Sequence, residues 1–380
     1  MVPIQLRDLL TTNHKYVASK VLVSELSGQA RELQILRHLN EAAPAESAQH
    51  ITQLLDTFEL DGPNGTHECL VFEPMGPSVN SMVEELPQFN PRYRDMKVQY
   101  PPQMARSILK QSLQGLALLH ENGIAHGDFQ PGNMLFTFEN IDATPEEELQ
   151  QIEDESSYST SPPVKRLDGK PDKWAPRYLS IAQPLAAFTR YSEGFKIKLS
   201  DMGGAYFFTD PPAKPVTPKG LRAPELVLTG AYNKSLDIWS FGCLMFELIT
   251  GEQLFSIFWT DFEDDLHLLQ LTASLGPLPD DLYEQWKTSS RYFTPERKLF
   301  NCELGGVAEG EEPWMMEEEQ PSMEEAFDKA APELDEEEAS VVKKLIRRIL
   351  QYDVSKRPSP AELLSDPWFA GIDINGGSKE

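Results

Sequence analysis

The feature that most constrains this chain is the stretch 124–136, a loop-forming string placed directly after a long helical pattern. Apolar residues recur at helical spacing from 103 to 121, and Asn122-Gly123 then supplies a left-handed stop. The loop that follows carries Asp128 and Asn133, five positions apart. A carboxylate there can deprotonate a hydroxyl, and an amide oxygen can hold a divalent cation. Taken alone, the same pair is also common in ordinary turns.

Further strings place polar residues where they could take part in chemistry. Asp201 follows a strand predicted over 195–199 and precedes two glycines, which suits either a metal ligand or an Asp-initiated turn. Downstream, Glu225 lies in RAPE, Asp237 in DIWSFG and Arg357 in KRPS, and each by itself is an ordinary surface charge.

The order of these strings carries more information than any one of them. HGDFQPGN, SDMGGA, RAPE, DIWSFG and KRPS, taken in that order, resemble the landmarks of the larger lobe of eukaryotic protein kinases. The resemblance covers roughly residues 15–370. It implies an α+β, bilobal fold with a small β-rich N-lobe over 1–75, a larger α-helical C-lobe over 76–370 and a tail over 371–380.

The resemblance implies roles for residues of the catalytic loop and the metal-binding motif. Asp128 would be the catalytic base for the substrate hydroxyl, and Gln130 stands where kinases usually place a Lys. Asn133 and Asp201 would bind the Mg²⁺ that bridges the ATP phosphates. ATP and Mg²⁺ are therefore the expected cofactors. The same resemblance makes Asp237 a brace for the catalytic loop.

Residues nearer the N-terminus would bind the nucleotide. The string VASK resembles the kinase V-A-I-K strand, so Lys20 would contact the α- and β-phosphates, with Glu32 as its ion-pair partner. The string CLVFEPM resembles the strand and hinge between the lobes. There Phe72 would be the gatekeeper, and the backbone of Glu73 and Met75 would hydrogen-bond adenine.

Finer similarities point to the SR-protein kinases. VFEPMG, DMGGA and GAYNKSLDIWSFGCLMFELITGEQLF are similar to that group's hinge, metal-binding motif and central helix. The resemblance implies phosphorylation of Ser in Arg/Ser-rich proteins, with a role in the regulation of mRNA splicing. It also implies a buried ion pair between Glu225 and Arg357.

Two acidic stretches account for most of the formal net charge of −26. Residues 139–155 hold eight acidic residues and no basic one, and 303–338 hold fifteen acidic residues and one basic residue. We predict surface insertions at about 139–176 and 303–338, the second a mobile loop. The charge argues against direct nucleic-acid binding and suits basic partners, although such loops can also simply solvate an insertion.

The chain departs from the kinase pattern in ways that leave other functions open. No G-x-G-x-x-G precedes Lys20, so we expect the glycine-rich loop to be missing, through truncation or true loss. Gly127 replaces a common Arg of the catalytic loop, and Gln130 leaves a neutral amide near the transferring phosphoryl group. A catalytically impaired binding module is therefore an alternative. HGDFQPGN alone also resembles the small-molecule phosphotransferases that act on aminoglycosides and choline.

The remaining expectations concern compartment and assembly. Cys69, Cys243 and Cys302 are far apart and form no CxxC pair, which indicates a reducing compartment. The N-terminus shows no signal-peptide pattern, and no stretch is apolar enough to span a membrane. We therefore expect a cytoplasmic or nuclear monomer without membrane partners.

Overall fold

Contacts between residues divide the chain into two units. The first holds Met1–Pro87, Gly132–Gly203 and Ile374–Glu380, and the second holds Gln88–Pro131 and Gly204–Asp373. This partition does not follow one boundary in the sequence, so the lobe boundary at residue 75 stays a prediction. The computed structural model describes residues 16–28, 30–43, 48–62, 65–89, 97–138, 141–149, 185–189, 191, 194–300, 303–307, 310 and 321–374.

The first unit is rich in strands and the second in helices, which confirms the predicted α+β class. The strands are β1 (Ala18–Val21), β2 (Leu54–Gly62), β3 (Gly65–Phe72), β4 (Met75–Ser78), β5 (Ile124–Ala125), β6 (Met134–Thr137), β7 (Ile197–Leu199) and β8 (Tyr206–Phe207). The α-helices are α1 (Arg31–Ala42), α2 (Val79–Met82), α3 (Pro102–Glu121), α4 (Glu146–Leu149), α5 (Pro224–Thr229), α6 (Ser235–Thr250), α7 (Glu263–Leu275), α8 (Asp280–Tyr283), α9 (Met323–Ala330), α10 (Glu336–Ile349), α11 (Pro360–Leu364) and α12 (Pro367–Ala370). Short 3-10 turns lie between them, among them Pro131–Asn133, Met202–Gly204, Lys219–Leu221 and Val354–Lys356.

Three antiparallel strands form one sheet of the first unit, in the order β1-β3-β2. Lys20 of β1 lies opposite Leu70 of β3, whose side chain is fully buried. Helix α1 buries Glu32 together with an apolar stripe formed by Leu33, Ile35, Leu36 and Leu39. Residues before Tyr16 fall outside the described part of the chain, so the missing glycine-rich loop remains a prediction.

A second antiparallel sheet of the first unit has the order β4-β6-β7. Strand β6 follows Asn133 directly, and β7 ends two residues before Asp201. Because these strands run in opposite directions, the start of β6 lies beside the end of β7, with Met134 opposite Leu199. The sheet therefore brings Asn133 and the residues after β7 to the same edge.

Helix α6 contributes many residues to the apolar core of the second unit. Its side chains are buried on nearly all sides, including Trp239, Phe241 and Phe246. The ring of Phe241 lies 5.9 Å from that of Phe369, and the ring of Phe246 lies 6.1 Å from that of Phe327. A helix that is apolar on all sides is stable in water only when other elements cover it. No helix within the described ranges has both the length and the apolar character needed to cross a membrane.

The prediction of a mobile loop over 303–338 is wrong for its second half. Helix α9 and the start of α10 occupy that part of the chain. Ser322 and Glu325 form a capping box before α9, and the carboxylate of Asp335 accepts a hydrogen bond from the N–H of Glu338 at 2.8 Å before α10. The acidic residues therefore cap helix N-termini, where they also complement the helix dipole.

The apolar residues of α9 have a spacing that predicts a helix, but the acidic composition of 303–338 drew attention away from it. Met323, Phe327 and Ala330 recur at helical spacing and are all buried. Within the first predicted insertion, 139–176, only 141–149 are described, and they form a 3-10 turn at Ile141–Ala143 followed by α4.

The predicted ion pair between Glu225 and Arg357 is present and buried in the second unit. The guanidinium donates two hydrogen bonds to the carboxylate, Nη1 to Oε1 at 2.7 Å and Nη2 to Oε2 at 2.8 Å. It also lies over the ring of Trp239, 4.9 Å from the ring centre. Paired hydrogen bonds and a stacked ring are what make the burial of both charges tolerable.

We expect Glu225→Gln to lower the free energy of unfolding by about 3 kcal/mol, because it leaves the buried Arg357 guanidinium without its carboxylate. The control is Lys356→Gln, which removes an exposed ion pair with Asp353 and should cost less than about 1 kcal/mol. Urea unfolding followed by circular dichroism measures both values. Equal losses in the two variants would contradict the structural importance assigned to the buried pair.

Candidate functional site

Lys20 contacts two carboxylates in the first unit. Its Nζ lies 2.8 Å from each carboxylate oxygen of Glu32 and 2.7 Å from Oδ1 of Asp201. The predicted ion pair with Glu32 is therefore confirmed. Burial alone would lower the pKa of Lys20, but the two carboxylates outweigh it and raise the pKa above its ordinary value. The ammonium group thus stays charged, and its side chain remains 29% exposed.

The backbone at Asp201 adopts a left-handed conformation, with φ of +57°, which is uncommon for a residue with a side chain. Two residues later, the N–H of Gly203 donates to Oδ1 of Asp201 at 3.3 Å. A Cβ atom on Gly203 would lie only 3.0 Å from that oxygen and 3.7 Å from Nζ of Lys20. The glycine therefore keeps open the space around the carboxylate and the ammonium group.

Asn133 is joined to the same place by the backbone next to Asp201. The N–H and the hydroxyl of Ser200 both donate to the carbonyl oxygen of Asn133, at 2.8 and 3.2 Å. An Asp and an Asn at one sheet edge offer the kind of oxygen ligands that Mg²⁺ takes. In the ranges that the structure describes, no group of three or more His, Cys, Asp or Glu could hold a metal by itself.

The segment that links β3 to β4 carries the three predicted adenine-side residues. Phe72 ends β3, Met75 begins β4, and both are half-buried, as is Glu73 between them. Oε1 of Glu73 accepts a hydrogen bond from Nζ of Lys198 on β7 at 2.5 Å. All the residues predicted to bind nucleotide or metal thus belong to the first unit.

Asp128 and Gln130, predicted for catalysis, lie in the second unit. Nε2 of Gln130 donates to Oδ1 of Asp128 at 2.8 Å, and both side chains are half-buried. Phe129 between them is buried, with its ring 6.2 Å from that of Phe241 on α6. The buried Phe fixes the loop in the core, so that the residues on either side of it reach toward the surface.

The buried carboxylate of Asp237 braces this loop, as the resemblance implied. It accepts hydrogen bonds from the backbone N–H groups of His126 and Gly127 at 2.8 and 2.9 Å. Nε2 of His120, in the last turn of α3, lies 2.9 Å from Oδ2 of Asp237. Burial alone would raise the pKa of Asp237, but its contact with His120 and the backbone donor at Gly127 hold the pKa below its ordinary value.

The backbone at Gly127 lies too close to Gly204 for any residue that carries a Cβ atom. Its φ is +71°, and a Cβ atom there would lie 2.3 Å from the carbonyl oxygen of Gly204. The hydroxyl of Thr217 donates to the carbonyl oxygen of Gly127 at 2.5 Å, and Nε of Arg222 donates to the carbonyl oxygen of Thr217 at 2.8 Å. The segment after Gly204 is therefore tied to the loop by backbone contacts and a hydroxyl.

The sequence reasoning missed the partners that hold these residues in place, namely His120, Thr217, Arg222 and Lys198. His120, Thr217 and Lys198 each contact a residue distant in the sequence, as His120 does with Asp237, whereas Arg222 contacts Thr217, five residues away. The position of Lys198 on the strand leading to Asp201, and that of Arg222 in the RAPE string, could have drawn attention to these two residues.

We expect Gly127→Ala to lower the free energy of unfolding by about 3 kcal/mol, because a left-handed backbone and a clash with Gly204 act together. Gly123→Ala is the matched control, since Gly123 has φ of +73° with nothing within 4 Å of the added Cβ. It should cost only about 1 kcal/mol. Urea unfolding compares the two, and equal costs would show that the approach of Gly204 is unimportant.

Comparison with known proteins gives consistent similarities. The chain matches the family model for the protein kinase domain over residues 8–144 and 188–369. A serine/threonine protein kinase of Aspergillus fumigatus is 26% identical over 367 residues, which cover 96% of this chain and 79% of that protein. The serine/threonine-protein kinase SRPK of Physarum polycephalum is 27% identical over 352 residues, covering 90% of this chain and 76% of that protein.

A solved structure shows the same fold. The crystal structure of a kinase domain, 24% identical in sequence, superposes with a TM-score of 0.58 and covers 94% of this chain and 88% of that one. The family model spans most of the sequence, including the stretches that carry Lys20, Asp128 and Asp237. The chain therefore belongs to the protein kinase domain family, as a serine/threonine protein kinase.

Proposed function

We propose that this chain transfers the γ-phosphoryl group of ATP to Ser hydroxyls of Arg/Ser-rich proteins, in the regulation of mRNA splicing. The observation that carries the proposal is the contact of Lys20 with both Glu32 and Asp201. Phosphoryl transfer needs a cation held in place for the phosphates and a carboxylate for the metal. The first unit holds both within one hydrogen-bonded cluster.

In this proposal the first unit binds the nucleotide. Lys20 contacts the α- and β-phosphates while Glu32 holds its ammonium group in position. Asn133 and Asp201 would supply oxygen ligands for Mg²⁺, which would neutralise charge on the phosphates.

The adenine end of the nucleotide would meet the segment between β3 and β4. Phe72 would act as gatekeeper beside the ring, and the backbone of Glu73 and Met75 would hydrogen-bond its edge. The half-buried state of all three leaves them partly accessible while they remain anchored to the sheet.

The proposed base is Asp128, which would accept the proton of the attacking Ser hydroxyl. The amide of Gln130 holds one of its carboxylate oxygens, and Asp237 holds the backbone just before it. A base fixed in this way needs little rearrangement before reaction.

A catalytically impaired, partner-binding kinase is the second candidate. Gln130 favours it, because a neutral amide stabilises the transferring phosphoryl group less than an ammonium group does. The cluster around Lys20 favours an active enzyme. A small-molecule phosphotransferase is not favoured, because the protein kinase family match continues over 188–369 and includes the pair of Glu225 and Arg357.

Charge and relatives support the proposed substrate class. The chain has a formal net charge of −26, and a relative that is 27% identical is named SRPK. Arg-rich segments are attracted to an acidic protein, which speeds their encounter. We place the activity in the cytoplasm or nucleus, and the buried free thiols of Cys69 and Cys243 agree with a reducing compartment.

We expect the purified chain, given labelled ATP and Mg²⁺, to phosphorylate an Arg-Ser repeat peptide and to phosphorylate poorly an acidic Ser peptide of equal length. The control Asp128→Asn keeps the size of the side chain and removes the base, so transfer should fall at least about 100-fold. Transfer is measured as label incorporated into peptide. No transfer by the unaltered chain would contradict the proposed function, and equal transfer by Asp128→Asn would contradict the role of Asp128.

We expect Gln130→Lys to raise kcat about tenfold, because an ammonium group there adds positive charge near the transferring phosphoryl group. The same peptide assay measures the change. Gln351→Lys, a change of the same type two residues after the end of α10, is the control and should leave kcat unchanged. A Gln130→Lys variant no faster than the unaltered chain would indicate that the neutral amide does not limit transfer.

A further inference from the structure

An ion pair in the first unit connects the proposed adenine end of the site to the strand that leads to the metal-binding end. Nζ of Lys198 lies 2.5 Å from Oε1 of Glu73, and the side chains are only 14% and 31% exposed. Water therefore screens this pair less than it screens the pairs of the open surface.

The pair links outer strand β7 of the β4-β6-β7 sheet to the segment just before its other outer strand, β4. Lys198 lies on β7 opposite Leu135 of β6, whereas Glu73 precedes β4 on the other side of β6. The Lys198 side chain therefore reaches past the middle strand of the sheet. Three residues after Lys198, the same chain segment carries Asp201.

The backbone on the two sides of Glu73 is held unequally. Phe72, before it, ends the central strand β3 and lies opposite both Ala18 and Leu54. Strand β4, after it, pairs with β6 at Met75 with Thr137 and at Ser78 with Leu135, and the register shifts between these pairs. Pro74, next to Glu73, has no N–H with which to join a ladder. The side chain of Glu73 is thus an important attachment of this segment to the sheet.

We propose that Lys198 is a positioning residue for the nucleotide: through Glu73 it holds the backbone of 73–75 where the adenine ring would be bound. The inference rests on the proposed function, because it assumes that this backbone meets adenine. It assigns Lys198 no contact with the reacting atoms. Replacing Lys198 should therefore weaken binding of the adenine ring and leave binding of the phosphates unchanged.

The test compares ligands with and without adenine. We expect Lys198→Met and Glu73→Gln each to raise the Kd of Mg-ATP about fivefold, while the Kd of Mg-tripolyphosphate, which lacks adenine, stays unchanged. The double variant should lose no more than either single one, because both remove the same ion pair. Lys198→Arg keeps the charge and should bind Mg-ATP nearly as well as the unaltered chain. Isothermal titration calorimetry measures each constant.

The matched control is Arg106→Met in the second unit. Arg106 forms an ion pair with Glu338 at 2.5 Å, with both side chains 23% exposed, so the pair is similar in length and burial. Arg106→Met should leave the Kd of Mg-ATP unchanged. Should Lys198→Met fail to fold, Glu73→Gln tests the same pair from its other side.

The outcomes separate the two proposals. If the unaltered chain does not bind Mg-ATP, the proposed function and this inference are both overturned. If it binds Mg-ATP and the variants bind it equally well, only the positioning role of Lys198 is overturned. Equal weakening of Mg-ATP and Mg-tripolyphosphate would likewise overturn that role, because it is the result of general loss of structure.

Discussion

The catalytic loop depends on one buried carboxylate, that of Asp237, which is only 2% exposed. Removing a carboxylate from water is costly unless donors replace the lost hydration. Here the donors are backbone N–H groups of His126 and Gly127, with the ring of His120 close by. The hydrogen bonds that stabilise the carboxylate therefore also fix the backbone that precedes Asp128. The position of Asp128 is thus set by a buried group on α6, and the amide of Gln130 also donates to its carboxylate.

Gly127 shows how this arrangement accommodates an unusual residue. With the loop backbone held by Asp237, the residue at 127 needs no side chain to anchor it, and its absence allows the carbonyl of Gly204 to come close. Thr217 then bonds to the carbonyl of Gly127. Many kinases connect these segments through an Arg at this position and a phosphorylated residue. In this chain, the hydroxyl of Thr217 makes one connection between them.

Ion pairs hold several of the candidate nucleotide-binding residues of the first unit. Lys20 is bonded to Glu32 and Asp201, and Lys198 is bonded to Glu73. Each lysine is partly enclosed and contacts carboxylates, which it helps to keep in place. The sheet that contains β7 carries one of these lysines and leads to Asp201. The residues proposed to bind the nucleotide thus come from both sheets of the first unit and from α1.

The sequence by itself indicated the long helix over 103–121, the strand before Asp201 and the motif residues, because helical periodicity, a left-handed stop at Gly123 and the kinase strings are local patterns. It also identified the Lys20–Glu32 and Glu225–Arg357 pairs through resemblance. It failed at α9, because the acidic composition of 303–338 outweighed the spacing of the few apolar residues that are buried there. Tertiary structure alone decided the partners of Asp237, Gly127 and Glu73. Those contacts join residues up to 125 positions apart, and only the packed chain places such residues within hydrogen-bonding distance.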